Sequence, residues 1–326
     1  MPAETKSAKS KFQVKLGPAT REAFGRALVE LGRENKDVVV CDADLSHSTM
    51  TTYFAKEFPE RFISLGIAEA NMCAVGAGLA LAGKVPFVSS FSAFAVNKGF
   101  EQLRCCVAYP KVNLKVVGTH SGISIGEDGP SQMSVEEIGL ACSLAGFVVI
   151  APADELSAKA LVKAAAAHFG PVFIRTGRPK APVIYGPDQK FEIGKAIEVT
   201  DGTDVTIIAN GLLVAQAMLA ADAVASEGIS VRVIDMHTVK PIDRDAIAKA
   251  AAETKAIVVA EEHLVDGGLG VRVAQVVAET RPCPMEFVGI QDTYAESGQP
   301  DELLHKYGLV AGNVADAVRK VVARKS

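Results

Sequence analysis

RFISLGIAEANMCAVGAGLALAGKVPFVSS, residues 61–90, reads as strand, turn, helix and strand in succession. RFISLGIA at 61–68 is a strand running into a turn, residues 69–82 form an Ala- and Gly-rich helix, and VPFVSS at 85–90 is the next strand. A helix that carries one strand to the next is a right-handed crossover between parallel neighbours. The unit therefore predicts a parallel sheet buried under helices, which agrees with its Ala, Val and Ile content and lack of Trp.

The same alternation extends in both directions. Upstream, ATREAFGRALVELGREN (19–35) carries Ala23, Ala27, Leu28 and Leu31 at helical spacing, and VVVC (38–41) is a short β-branched strand. Downstream come a helix across 93–108, a strand at 113–119 and a long polar loop. A helix at 134–145, a strand at 147–150, a helix at 154–168 and a strand at 171–175 follow. TGRPKAPVIYGPDQKFE (176–192) breaks the rhythm with three prolines and two glycines, as an interdomain linker holding a short strand would. Alternation resumes at DVTIIANG (204–211) and continues to a last helix at 313–323. The expected architecture is two α/β domains, each a mostly parallel sheet flanked by helices, at 15–180 and 192–326, with a flexible tail at 1–14 and a linker at 181–191.

Charge and composition exclude several classes. The net charge is -4 and no basic stripe points to nucleic acid; Lys6, Lys9 and Lys11 sit in a polar tail. No apolar run approaches the roughly 20 residues of a membrane span, and the start has no apolar signal core, so a cytoplasmic protein is expected. The six cysteines form no CxxC pair, and most lie in apolar stretches as buried thiols would.

Ligands of open α/β sheets bind beyond the carboxyl ends of the strands. The polar residues there are Asp42, Asp44 and Ser48, then Glu69, then Ser89 to Phe94, then His120 to Gln132, and then Arg175 and Arg178. All belong to the first domain. Glu69 opens an apolar helix, where an acid either complements the helix dipole or shares a proton with a bound heterocycle. Phe91 and Phe94, three residues apart, serve either the core or a platform for a planar ring. THSGISIGEDGPSQ (119–132) is long for a connector in such a domain, and its four glycines allow close backbone approach. His120 at its start stands where a general acid or a hydroxyl-binding group would. Arg21, Arg175 and Arg178 are surface charges singly, and a phosphate grip if they meet. DGGLG (266–270) before a helix can cradle an anion, and EEH (261–263) reads as a satisfied polar strand end.

ATREAFG, DADLSHST, RFISLGIAEANM, VPFVSSFSAF, THSGISIGEDGPSQMSVEE and FIRTGRP, in that order, resemble the transketolase family. VRVIDMHTVKPID and AEEHLVDGGLG extend the resemblance through the family's C-terminal domain, over about residues 15–324. The resemblance implies that Glu69 hydrogen-bonds the aminopyrimidine ring of thiamine diphosphate and activates the cofactor. Phe94 stacks on that ring with Phe91 beside it, and Asp44 lies near the thiazolium. His120 and Asp128 hold sugar hydroxyls, and Arg21, Ser48 and Arg178 grip the sugar's phosphate, with Arg175 the weaker candidate in that stretch. Two departures stand out. Gln132 replaces a histidine that some members carry, and the Gly-Asp-Gly motif with its later Asn, which holds Mg2+ or another divalent cation on the diphosphate, is missing.

The resemblance thus implies no metal ligand here and a partner: an N-terminal transketolase subunit with the diphosphate and metal domain, joined with this chain as two copies of each. The activity implied is two-carbon ketol transfer between sugar phosphates. A 1-deoxyxylulose-5-phosphate synthase, a 2-oxo acid dehydrogenase beta subunit or a branched-sugar transketolase would share the fold. His120 favours sugar ketol transfer over the first two. A non-catalytic homologue would have no use for Glu69.

Overall fold

The computed structural model describes residues 12–325; most of the expected tail, with Lys6, Lys9 and Lys11, lies outside the described residues. Seven strands form the first sheet, in the order Thr238–Lys240, Val148–Ile150, Val172–Arg175, Lys115–Thr119, Val85–Phe91, Val38–Asp42 and Phe62–Ser64. Every pairing is parallel except that of Thr238–Lys240. The β-branched runs are buried on both faces, as crossover helices require. The opening unit appears as strand Phe62–Ser64, helix Glu69–Leu81 and strand Val85–Phe91.

The second sheet orders its strands Met285–Ile290, Ile257–Leu264, Val205–Ala209, Val231–Asp235 and Ile197–Thr200, all parallel except the last. Two α/β layers are thus present, with mostly parallel sheets flanked by helices. They do not part cleanly. Thr238 pairs with Ile150, so a segment of the second unit forms an edge of the first sheet.

Three features go beyond what periodicity predicts, although a short strand in the Pro-rich segment is expected. The helix expected across 93–108 is broken into Ser92–Ala95, Phe100–Gln102 and a wide π-type turn, Leu103–Ala108. At the break, Gly99 permits a close approach: a Cβ there would stand 2.5 Å from the carbonyl oxygen of Ala95 and 2.8 Å from Cys73 Sγ. The Pro-rich segment supplies Lys180–Pro182, which pairs antiparallel with Leu16–Ala19. This ribbon draws the ends of the first unit together, and Gly177 N–H donates to Thr20 Oγ1 at 2.8 Å beside it. The long polar loop is mostly interior: Ser121 to Gly126 are buried, and Glu127, Asp128, Pro130 and Ser131 emerge.

At the amino ends of the strands of the first sheet, Lys115 on the central strand is fully buried. Its ammonium donates to Asn113 Oδ1 at 2.7 Å, His168 O at 2.7 Å and Gly170 O at 2.6 Å, so all three protons are used. Replacing Lys115 by Met leaves the His168 and Gly170 carbonyls without this donor, while Asn113 Oδ1 keeps Gly170 N–H at 3.0 Å. It should cost about 1–3 kcal/mol in chemical denaturation, the usual range for orphaned buried polar groups.

Candidate functional site

Parallel strands place their following loops on one edge, and the candidate residues gather there. Glu69 is the first residue of helix Glu69–Leu81 and is only 3% exposed. Its carboxylate is held loosely: Ser90 Oγ stands 3.5 Å from Oε1, and Lys98 Nζ stands 3.4 Å from Oε2. The helix start stabilises negative charge there. Phe91 and Phe94 lie nearly parallel, with ring centroids 5.7 Å apart and planes inclined by 15°. Phe91 is buried against the imidazole of His120 at 3.9 Å, whereas Phe94 is only partly buried.

Lys98 was not singled out by the sequence reading. Its Nζ sits 4.3 Å from the Phe94 ring centroid, a cation–π contact, while it faces Glu69. Lys98 N–H donates to Phe94 O at 3.1 Å, so the two are one helical turn apart. That four-residue spacing was the available signal, and it is weak because it requires the turn to be helical.

His120 has a positive φ of 56° and is 2% exposed. Arg21 Nη1 donates to its Nε2 at 3.0 Å, since a guanidinium has only protons to offer. The proton therefore sits on Nδ1, which donates to Thr119 Oγ1 at 2.8 Å. Burial first, and then the charges of Arg21 and Arg178, push the imidazole pKa down to about 3. Of the two roles open to His120, this environment fits a neutral hydroxyl-binding group rather than a general acid.

Arg21 also donates to Ser48 O at 2.7 Å, while its Nε is buried without a partner. Burial and the nearby Arg178 lower its pKa. Arg178 pairs with Glu127 Oε2 at 2.9 Å and stands 4.0 Å from Asp128. Two arginines and Asp128 thus meet around His120. The ribbon explains it, because Arg21 follows Ala19 by two residues, Arg178 precedes Lys180 by two, and Ala19 pairs with Lys180. Asp44 is exposed, with φ 65°, at the turn after strand Val38–Asp42. Its neighbour Asp42 is structural, accepting from Leu45 N, Thr49 Oγ1 and Thr51 Oγ1 at 2.6, 2.7 and 2.9 Å.

Arg175 does not join the group. It is buried, donating through Nε to Glu137 Oε1 at 2.6 Å and through Nη2 to Glu262 O at 2.7 Å. Strand alternation turns it away from Arg21 and His120, whereas Arg178 lies on their side. The anion expected over DGGLG is the chain's own: Glu261 accepts from Leu269 N and Gly270 N at 2.7 and 2.8 Å. EEH is not fully satisfied as a strand end, because Glu262 Oε2 is buried without a hydrogen-bond partner. Among the described residues, no group of three or more His, Cys, Asp and Glu could hold a metal ion. No helix among them is long and apolar enough to cross a membrane.

The fold and site together define an α/β chain with a pyrimidine-binding domain: residues 17–183 match the family model for the transketolase pyrimidine binding domain. Residues 194–314 match that of the transketolase C-terminal domain, and the chain belongs to the transketolase family. A protein of Methanocaldococcus jannaschii named for a transketolase C-terminal section is 42% identical over 94% of this chain and 96% of its own. The 6-deoxy-6-sulfo-D-fructose transketolase subunit of a Clostridium species is 39% identical over 97% and 98%. A solved split gene transketolase, an inactive beta4 tetramer, superposes with a TM-score of 0.89 at 47% identity, covering 95% of this chain and all of that one. Human transketolase is 37% identical, and this chain spans 49% of its length.

The His120 environment has a measurable consequence. In nitrogen-detected NMR its imidazole should stay neutral, with the proton on Nδ1, from pH 8 down to 5. The unfolded chain protonates this group near the ordinary imidazole value of 6.5, and the folded chain only near 3. Stability from this residue is therefore complete above pH 6.5 and lost as pH falls below it. A midpoint between pH 6 and 7 would show that the imidazole is not so enclosed.

Proposed function

We propose that this chain is the pyrimidine-binding and C-terminal subunit of a two-chain transketolase, which moves a two-carbon ketol unit from a ketose to an aldose. The observation that carries the reading is the pairing of Glu69, buried at a helix start without close partners, with the accessible ring of Phe94. Such a pair fits a planar aminopyrimidine. Glu69 then holds a proton at a ring nitrogen, Phe94 supplies the stacking face with Phe91 behind it, and Asp44 stands at the exposed turn nearby. When bound, thiamine diphosphate supplies the nucleophilic carbon and the electron sink for the transfer.

This chain's own residues orient the sugar. His120, neutral and fixed in one tautomer, and Asp128 hold hydroxyls, while Arg21, Arg178 and the Ser48 turn bind the terminal anion. The unpartnered Nε of Arg21, close to a second guanidinium, supports an anion site there. Among the described residues no group of three or more His, Cys, Asp and Glu stands ready for a divalent cation. Mg2+ or another divalent cation belongs with the diphosphate on the partner, an N-terminal transketolase subunit. Exposed Ile67, Leu81 and Tyr109, at 78%, 75% and 89%, lie on or beside the helix that begins with Glu69, which supports cover by protein. The solved relative, inactive as a tetramer of one chain type, supports self-association together with a need for the second chain.

The sulfo-sugar name of the Clostridium relative favours a second substrate reading, since a sulfonate would suit the same two arginines. Assays with the diphosphate subunit, comparing xylulose 5-phosphate with 6-deoxy-6-sulfofructose, decide between the two anions.

With that partner present, Glu69→Gln should lower ketol transfer by about a hundredfold or more while the complex still assembles. Turnover by the isolated chain would overturn the two-chain reading. Arg178→Ala should raise KM for the anionic sugar by about tenfold, the loss expected for a charged hydrogen bond, and leave an uncharged ketose unaffected. Equal losses for both sugars would remove Arg178 from the anion grip.

A further inference from the structure

The loop that carries His120 and Asp128 does not rest on its own sheet. Ile123 and Ile125 are fully buried in a cluster with Val205, Ile207, Leu213 and Leu303 of the second unit. Its glycines mark the closest approaches. A Cβ on Gly122 would stand 2.1 Å from the Glu262 carboxyl carbon, one on Gly126 2.9 Å from Pro300 Cγ, and one on Gly129 2.4 Å from Ser297 Oγ. The three glycines have φ values of 80°, 85° and 80°, so the turns and the contacts both require the missing side chain.

At the centre stands Glu262, 2% exposed at the end of strand Ile257–Leu264. Its Oε1 accepts from Ser124 N–H at 2.7 Å. Arg175 binds its carbonyl and stands 3.5 Å from its Oε2, while also bonding Glu137. The second oxygens of Glu137 and Glu262 have no hydrogen-bond partner. One cation thus faces two buried carboxyls, and burial raises the Glu262 pKa. Such a cluster is a poor source of stability, because desolvation cancels much of its attraction. What it does provide is direction, since a buried amide must find its acceptor and here the acceptor lies on the other unit.

We propose that Glu262 is a positioning residue: it fixes the 119–132 loop through Ser124, so that the C-terminal unit sets the sugar affinity of a site whose groups lie on the pyrimidine-binding unit. The kinetic part rests on the transketolase reading above; the loop-holding part does not.

Hydrogen exchange on the full chain tests the first part. Glu262→Ala should speed exchange at the Ser124 amide by about tenfold, while strand Lys115–Thr119 keeps its protection. Glu262→Gln keeps an acceptor and should hold exchange near the wild-type rate. Glu262→Asp, too short to reach, should behave as Ala does and serves if the alanine variant does not fold. In the reconstituted two-chain enzyme, Ala and Asp should raise KM for the ketose about tenfold at unchanged thiamine diphosphate affinity, and Gln should restore it. Unchanged Ser124 exchange overturns the proposal, as does faster exchange without a KM effect. Loss of protection in both sheets, with loss of cofactor affinity, shows a merely structural role and overturns it too. If wild type transfers no ketol unit, the function above fails, while the exchange result still decides whether Glu262 holds the loop.

Discussion

A parallel sheet can be closed only by crossovers, and each crossover returns the chain to the same starting edge. The loops that leave the strands therefore share the other edge. In this chain that constraint brings Asp44, Glu69, Phe91, His120 and Arg178 together from turns spread over more than a hundred residues. The local details serve that convergence. Asp42 ties down the turn that exposes Asp44, and Gly99 permits a close approach in the segment after Phe94. The short ribbon between residues 16 and 182 draws Arg21 beside Arg178.

The charges at that edge are sorted by environment. Glu69 lies where a helix start accommodates an anion, next to aromatic rings, with an ammonium over the more accessible ring. His120 is kept neutral by burial and two guanidinium groups, so one end of the site is cationic without an imidazolium. The apolar platform and the cationic end meet at Phe91, whose ring packs on Phe94 and on His120. A ligand with a planar ring at one end and an anion at the other matches that division.

The two units are coupled more closely than their alternating patterns suggest. Thr238–Lys240 completes the first sheet, and the glycine-rich loop is packed into the core of the second unit. Arg175, Glu137 and Glu262 bury three ionisable groups at the junction. Consecutive residues of one strand divide the work: Glu261 caps its own unit's helix, and Glu262 reaches across to the other.

Alternating apolar runs were enough to establish two α/β units, the parallel character of their sheets and the set of strand-end residues, because period and crossover length are local properties. The identity of Glu69, Phe91, Phe94 and His120 as candidates was legible in the same way, from position after a strand. Contacts between distant segments were not legible. Arg175 and Arg178 could not be separated by spacing, since which side of a strand faces the site depends on the register of the sheet. Lys98 escaped notice because its reach back over Phe94 exists only once that turn is helical. The glycines of the loop at 119–132 indicated close backbone approach but not to what; its burial depends on a second sheet supplying Glu262 and an apolar surface. Only the tertiary structure brings those groups within hydrogen-bonding distance, because no local pattern records which remote strand a loop will meet.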